Sequence, residues 1–228
     1  MDNGIDKEKD FWDNKIIQWE NGRYLKKNNS FFEKLSDYFS SSLVFRRDKS
    51  IEFLKQINIE NKIVYELGCG SGFLAKQILD LGASKYIGLD ISSEAISRAN
   101  MINADLIRDN KCFFYCGRQS NFKQIEYDVM FSLGYIDWIY DNEIVELINL
   151  TKKEKPFFHS FSSLNKKSIS QLLHKFYVYL SYKRNKKLSP IYRSDIQIKN
   201  FFKNDNFINF FSNKKLNFGK FFGNIKFK

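Results

Sequence analysis

The residues with the clearest chemical potential lie between Lys62 and Asp90. Glu66 stands two places before Gly68, and Gly68, Gly70 and Gly72 alternate along Glu66-Leu-Gly-Cys-Gly-Ser-Gly72. Glycines at that spacing let the backbone turn sharply and approach a ligand with no Cβ in the way. Backbone N–H groups at the helix start beyond them favour a negatively charged or electron-rich ligand group. A second apolar run, Tyr86-Ile-Gly-Leu, ends in Asp90, a carboxylate able to accept hydrogen bonds from both hydroxyls of a ribose. The dinucleotide fingerprint G-x-G-x-x-G would place its third glycine at position 73, which is Phe.

These groups need particular elements beneath them. Ile63, Val64, Tyr65 and Leu67 form a short apolar run suited to a central parallel strand. Phe73 to Leu81 has its apolar residues at helical spacing, and Gly82 closes it as a C-cap. Strand Tyr86–Leu89 follows, and then a helix capped by Ser92 or Ser93. Further strands are expected at Cys112–Cys116, Tyr127–Phe131 and Pro156–Phe161, and a last pair near Asn206–Phe211 and Phe218–Phe227 closes as an antiparallel hairpin. Ser194 with Gln197 reads as a capping box. Alternating strands and helices imply an α/β fold: a doubly wound, mostly parallel sheet of seven strands whose ligands sit beyond the strands' carboxyl ends.

The paired motif, Glu66-Leu-Gly-Cys-Gly-Ser-Gly72 with Gly88-Leu-Asp90, resembles the class I (Rossmann-like) methyltransferases that use S-adenosylmethionine (SAM) and release S-adenosylhomocysteine (SAH). The likeness covers roughly residues 45 to 165. It implies one methyltransferase domain over 1–228, with a helical cover over 1–45, a SAM-binding core over 46–165, and a substrate segment with closing strands over 166–228. It also implies that Glu66, Gly68, Cys69, Gly70, Gly72, Asp90, Ile91, Ser132 and Leu133 surround the cofactor. The turn after the third strand flanks the adenine in that family, often with an acidic residue. Arg118 and Gln119 stand there instead, one suited to stacking on the ring and the other to hydrogen bonding.

The candidate proton acceptors come from the later loops. His159 lies near the carboxyl end of the fifth strand, and a histidine there could deprotonate an attacking hydroxyl or amine. Asp137 is either a base, a substrate anchor or the cap of the next helix. Tyr192 belongs to the stretch between the fifth and sixth strands, which carries substrate specificity in the resembling family. His174 sits among Leu172, Leu173 and Phe176 and reads as a core or surface residue. Tyr24, Tyr135, Arg184 and Arg193 are the candidates for substrate contacts, with the Lys183–Lys187 run beside them. Near the amino terminus, Phe11, Trp12, Ile16, Trp19 and Tyr24 fall near one helical face, which Asn21-Gly22 ends. That face is an aromatic stripe packed on the core or, by the resemblance, a lid over the cofactor.

Composition narrows the function. The net charge is +11, but residues 151–228 hold 18 Lys and Arg against 3 Asp and Glu, so the basic character belongs to the last third. Such a surface is either simply solvated or attracts an anionic partner. Three cysteines and two histidines, without ligand spacing, make a zinc or other metal site improbable. Reduced thiols, an acidic start and no long apolar run give a cytoplasmic expectation with no membrane partner. The sequence lacks the Asp/Asn-Pro-Pro-Tyr/Phe tetrapeptide of methyltransferases acting on base amines, and the Pro-Cys of cytosine-C5 enzymes. The preferred reading is methyl transfer to oxygen or nitrogen of a polar, anionic small molecule, phosphorylated or nucleotide/sugar-linked as in capsule biosynthesis. An RNA methyltransferase using the basic third, and a fold without turnover, are the alternatives. The oligomeric state is left open.

Overall fold

The computed structural model describes residues 5–24, 31–121, 124–152, 154–164, 169–181, 189–203 and 207–228. Two helices come first, α1 (Ile5–Tyr24) and α2 (Phe31–Gln56). The core then runs β1 (Ile63–Leu67), α3 (Ala75–Asp80), β2 (Lys85–Asp90), α4 (Ser93–Ile102), α5 (Ala104–Arg108), β3 (Cys112–Cys116), β4 (Val129–Leu133), α6 (Asp141–Leu150) and β5 (Phe157–Ser162). The chain closes with α7 (Ile169–Ser181), α8 (Asp195–Phe201), β6 (Asn209–Ser212) and β7 (Gly219–Gly223).

The seven strands form one sheet in the order β3-β2-β1-β4-β5-β7-β6. β1 pairs parallel with β2 on one side and β4 on the other, so the strand order reverses there. That reversal opens a crevice at the carboxyl ends of β1 and β4, the general place for a ligand in such sheets. β7 pairs antiparallel with both β5 and β6, which makes the expected hairpin and supplies the mixed edge.

Period-two alternation divides the phenylalanines between two cores. Phe158 and Phe221 face α2 and α3, with Phe53 of α2 among them, its ring centroid 5.7 Å and 5.2 Å from theirs. Phe157, Phe161 and Phe222 face the opposite side with Leu147 of α6 and Ile198 of α8. Local signals were reliable where a side chain caps the backbone. The Ser92 hydroxyl accepts from Ala95 N at 3.1 Å, and Ser194 and Gln197 form the capping box. They were less reliable where packing decides. α1 passes through Asn21-Gly22 to Tyr24, whereas the sequence pattern ends the helix at Asn21-Gly22. The expected helix at Phe73 begins two residues later, at Ala75. None of the described helices is long and apolar enough to cross a membrane.

Candidate functional site

The glycine loop takes its shape from its surroundings as much as from its composition. Gly68 and Gly70 have φ of 69° and 53°, a region that L side chains rarely adopt. A Cβ at Gly68 would approach Tyr135 to 3.1 Å, and one at Gly70 would overlap the carboxylate of Glu20. Gly70 N donates to Asp90 Oδ2 at 2.9 Å, and Ser92 N donates to Asp90 Oδ1 at 2.9 Å. Burial raises the Asp90 carboxyl from its ordinary value, and these backbone bonds oppose the rise. Asp90 is thus held at the end of β2 by one bond to each oxygen, and each oxygen keeps a second lone pair for a ligand hydroxyl. Glu66 is buried at the end of β1 and accepts from Tyr86 Oη. Burial pushes its carboxyl up to about 8, against the Tyr86 bond, so it is largely protonated at neutral pH.

A cavity of about 430 Å³ opens at the sheet's carboxyl edge. One wall is the loop itself, through Glu66, Gly68, Cys69 and Gly70, with Asp90 and Ile91 from β2 and beyond. The facing wall is one stripe of α1: Glu8, Trp12, Ile16 and Glu20, spaced by four so that they share a helical face. Trp12 packs edge-on against Trp138 with centroids 4.8 Å apart. The far end is lined by Arg46 of α2, Tyr135, Asp137, Ser162, His174 and Phe218. A cavity of this size, mostly apolar with a few polar groups, suits a small-molecule ligand.

Three carboxylates tie α1 across the loops that follow β1, β2 and β3. Glu20 accepts from Ser71 N at 2.8 Å and from Ser71 Oγ. Asp13 accepts from Ser92 Oγ at 2.7 Å, Ser93 Oγ at 3.0 Å and Glu94 N at 3.2 Å. Burial alone would raise Asp13, yet the bonds from Lys9, Ser92, Glu94 and Ser93 bring it down to about 2. Glu8 pairs with Arg118.

The structure sorts the expected site residues. Glu66, Gly68, Cys69, Gly70, Asp90, Ile91 and Leu133 line the cavity, with Tyr135 and Asp137. Gly72, Ser132, Arg118 and Gln119 are not in its lining. Arg118 is held between Glu8 of α1 and Glu143 of α6, and Gln119 lies between Tyr135 Oη at 3.0 Å and the Glu143 carbonyl. The adenine-side roles expected for this pair therefore have no support in the geometry, because both side chains are spent on packing the turn.

His159 is also corrected. It is 1 % exposed in the middle of the sheet, its Nδ1 lies 2.9 Å from Ser132 Oγ, and it does not reach the cavity. Burial lowers its pKa to about 3, so it stays neutral and has little basicity to offer. Arg193 is 1 % exposed and grips the turn after β4 instead of a substrate. Its Nη1 donates to Ile136 O at 2.6 Å, its Nη2 to Ile139 O at 2.7 Å, and its Nε to Asp141 Oδ1 at 3.1 Å. Asp137 caps no helix. Its Oδ1 and Oδ2 accept from Ser162 N at 2.6 Å and Ser162 Oγ at 2.7 Å, tying that turn to the end of β5. Tyr192 lies behind the lining, with its Oη 2.6 Å from Nδ1 of His174, the histidine that does reach the cavity. The Tyr24 side chain, Arg184 and the Lys183–Lys187 run lie outside the described residues.

Glu20, Arg46 and His174 were not singled out as site residues by sequence. A legible trace of Glu20 exists in the four-residue spacing Glu8-Trp12-Ile16-Glu20, which puts two carboxylates on the aromatic face. Arg46 has no such trace, because only the folding of α2 onto β5 and β7 brings it there.

The profile of a family described as a methyltransferase domain matches residues 59–200. The crystal structure of a magnesium protoporphyrin IX methyltransferase from Synechocystis PCC 6803 with bound SAH superposes with a TM-score of 0.67 at 16% identity, covering 96% of this chain and 97% of that one. The DhpI–SAM–HEP complex gives 0.64 at 11% identity, covering 98% of both chains. A ribosomal protein L11 methyltransferase of Shewanella woodyi is 50% identical over 52 residues, which is 22% of this chain and 18% of that protein. The match thus spans less than a fifth of that relative's length.

Proposed function

Because the chain belongs to the methyltransferase-domain family and is a SAM-dependent methyltransferase, we propose that it methylates oxygen or nitrogen of a small polar molecule that carries an anionic group. The observation that carries this reading is the continuation of the cavity past the cofactor residues to Arg46. Arg46 is 5 % exposed, 4.0 Å from Asp137 Oδ2 and 3.4 Å from Ser160 Oγ. Gly219 leaves room for its guanidinium, which a Cβ there would meet. Arg46 lines the end of the cavity away from the glycine loop, where its planar cation can meet a ligand carboxylate or phosphate.

SAM, when bound, supplies a methyl group already activated on a sulfonium, so the protein's task is mainly alignment in a dry site. Asp90 holds the ribose end. Trp12, Ile16, Leu133, Trp138 and Ile139 exclude water from the middle. Arg46 orients the acceptor from the far end. His174, oriented by Tyr192, is the group there suited to take the proton of the attacking O–H or N–H. The residues of 151–228 in the lining are Ser162, His174, Pro190 and Phe218, so the basic charge of that third is not what the described cavity presents.

The test is SAH formation from SAM with separate pools of phosphorylated and carboxylated small molecules, neutral small molecules, and RNA. Turnover is expected with the anionic pool, and Arg46→Gln should lower it roughly 10- to 100-fold, the loss of one charge-assisted contact. SAH affinity should be unchanged in that variant. Turnover confined to RNA or to neutral acceptors overturns the proposal.

A further inference from the structure

The donors of Ser71, between Gly70 and Gly72 of the glycine loop, carry an unexpected occupant. Glycine loops of this kind offer backbone N–H groups to an anionic ligand group. Here Ser71 N and Ser71 Oγ both donate to Glu20, a side chain delivered from α1, some fifty residues earlier in the chain. Glu20 is 4 % exposed and yet lines the cavity beside Gly70 and Asp90. Gly70 is the residue type that allows this, since a Cβ there would collide with Glu20 Oε1.

At Ser71 the loop therefore presents the cavity with a carboxylate in place of its own N–H group. We propose that Glu20 is the site for the ammonium of the cofactor's amino-acid tail, so that α1 completes the cofactor site chemically as well as covering it. The inference rests on the SAM assignment and goes beyond it by giving the helix a charge-selective role.

The local electrostatics favour a cation. Each Glu20 oxygen accepts one hydrogen bond from Ser71 and retains acceptor capacity. Arg98 Nη1 stands 3.9 Å from Oε2, beyond hydrogen-bonding distance, and its guanidinium also lies 5.5 Å from the Phe73 ring centroid. On the cavity side the neighbouring titratable groups are Glu66, Asp90 and Cys69. Burial raises the Glu20 pKa, the two Ser71 bonds and Arg98 oppose this, and Asp90 adds to it. An ammonium arriving there neutralises a buried charge; a carboxylate arriving there meets repulsion and finds the Ser71 donors taken.

Calorimetric titration of the full chain with two ligands isolates the tail. SAH carries the amino-acid tail, and 5′-methylthioadenosine lacks it while keeping the adenosine and the sulfur. Glu20→Gln preserves the shape and removes the charge. It should weaken SAH binding about tenfold and leave methylthioadenosine within twofold of the wild type. Asp13→Asn, which loosens the docking of α1 on α4 without touching the loop, should weaken both ligands equally. That control separates a general effect of the helix from a charge effect at the tail. Equal losses for the two ligands in Glu20→Gln, or tighter SAH binding, overturn the inference while leaving the cofactor assignment standing. A wild-type protein that binds neither ligand overturns both.

Discussion

Asp90 shows how a single residue's role depends on what surrounds it. Its carboxylate is partly buried, which costs free energy, and the N–H groups of Gly70 and Ser92 recover part of it. That arrangement leaves on each oxygen a lone pair open to a ligand hydroxyl, which the proposed function assigns to the ribose. Asp90→Ala should weaken SAH binding by about 1–3 kcal/mol, the scale of hydrogen bonds to a charged group. Calorimetry checks this, and unchanged affinity would show that the ribose sits elsewhere. The two histidines make the same point in reverse. His159 has the more suggestive address in sequence, at the end of a strand, but a side chain in the interior of a seven-stranded sheet is sealed by its neighbours. His174 has an unremarkable address and reaches the cavity because α7 returns over the end of β5.

At the scale of elements, α1 is the piece on which the site depends most. It contributes four residues to the cavity wall and three carboxylates that reach the loops after β1, β2 and β3. Its ties to those loops are hydrogen bonds and an ion pair from single side chains, with Phe11 and Ile16 buried beside them, whereas α2 is anchored by Phe53 in the aromatic core. A helix that forms one wall of a cavity opens less readily once a ligand fills that cavity. Amides of residues 10–24 should therefore exchange several-fold more slowly when SAH is bound, while those of residues 51–56 in α2 change little. Hydrogen exchange followed by mass spectrometry reads both segments together, and unaltered protection of α1 would remove it from the cofactor site.

For the whole molecule, the buried acids at the cavity couple stability to pH. Glu66 keeps its proton to about pH 8 in the folded protein, against an ordinary value of 4.5. Between those values the folded state binds more protons than the unfolded chain. The stabilisation is complete below the unfolded value and is lost as pH rises through the folded one, at up to about 1.4 kcal/mol per pH unit. Glu66→Gln, which cannot ionise, should flatten that decline. Urea unfolding at pH 5.5 and 7.5 tests it: the wild type should lose more stability between the two than the variant. Parallel losses would mean that Glu66 is already ionised at the lower pH.

Much of this architecture is legible in local residue patterns, and the reason is the range of the forces. Gly68, Gly70 and Gly72 announce a positive-φ loop, Ile63 to Leu67 a buried strand, Ser92 and Ser194 their caps, and Asp90 a carboxylate beyond a strand. Each of those signals acts within a few residues. The cavity wall of Glu66, Gly68, Cys69, Gly70, Asp90 and Ile91 is built from such pieces. The far end of the cavity is not. Arg46 comes from α2, Asp137 from the turn after β4, Ser162 from β5 and His174 from α7, and nothing within any one segment says that they meet. Burial decided the rest: it withdrew Arg193 to the carbonyls of Ile136 and Ile139, buried His159 in the sheet, and placed Glu20 against a loop some fifty residues away in the chain.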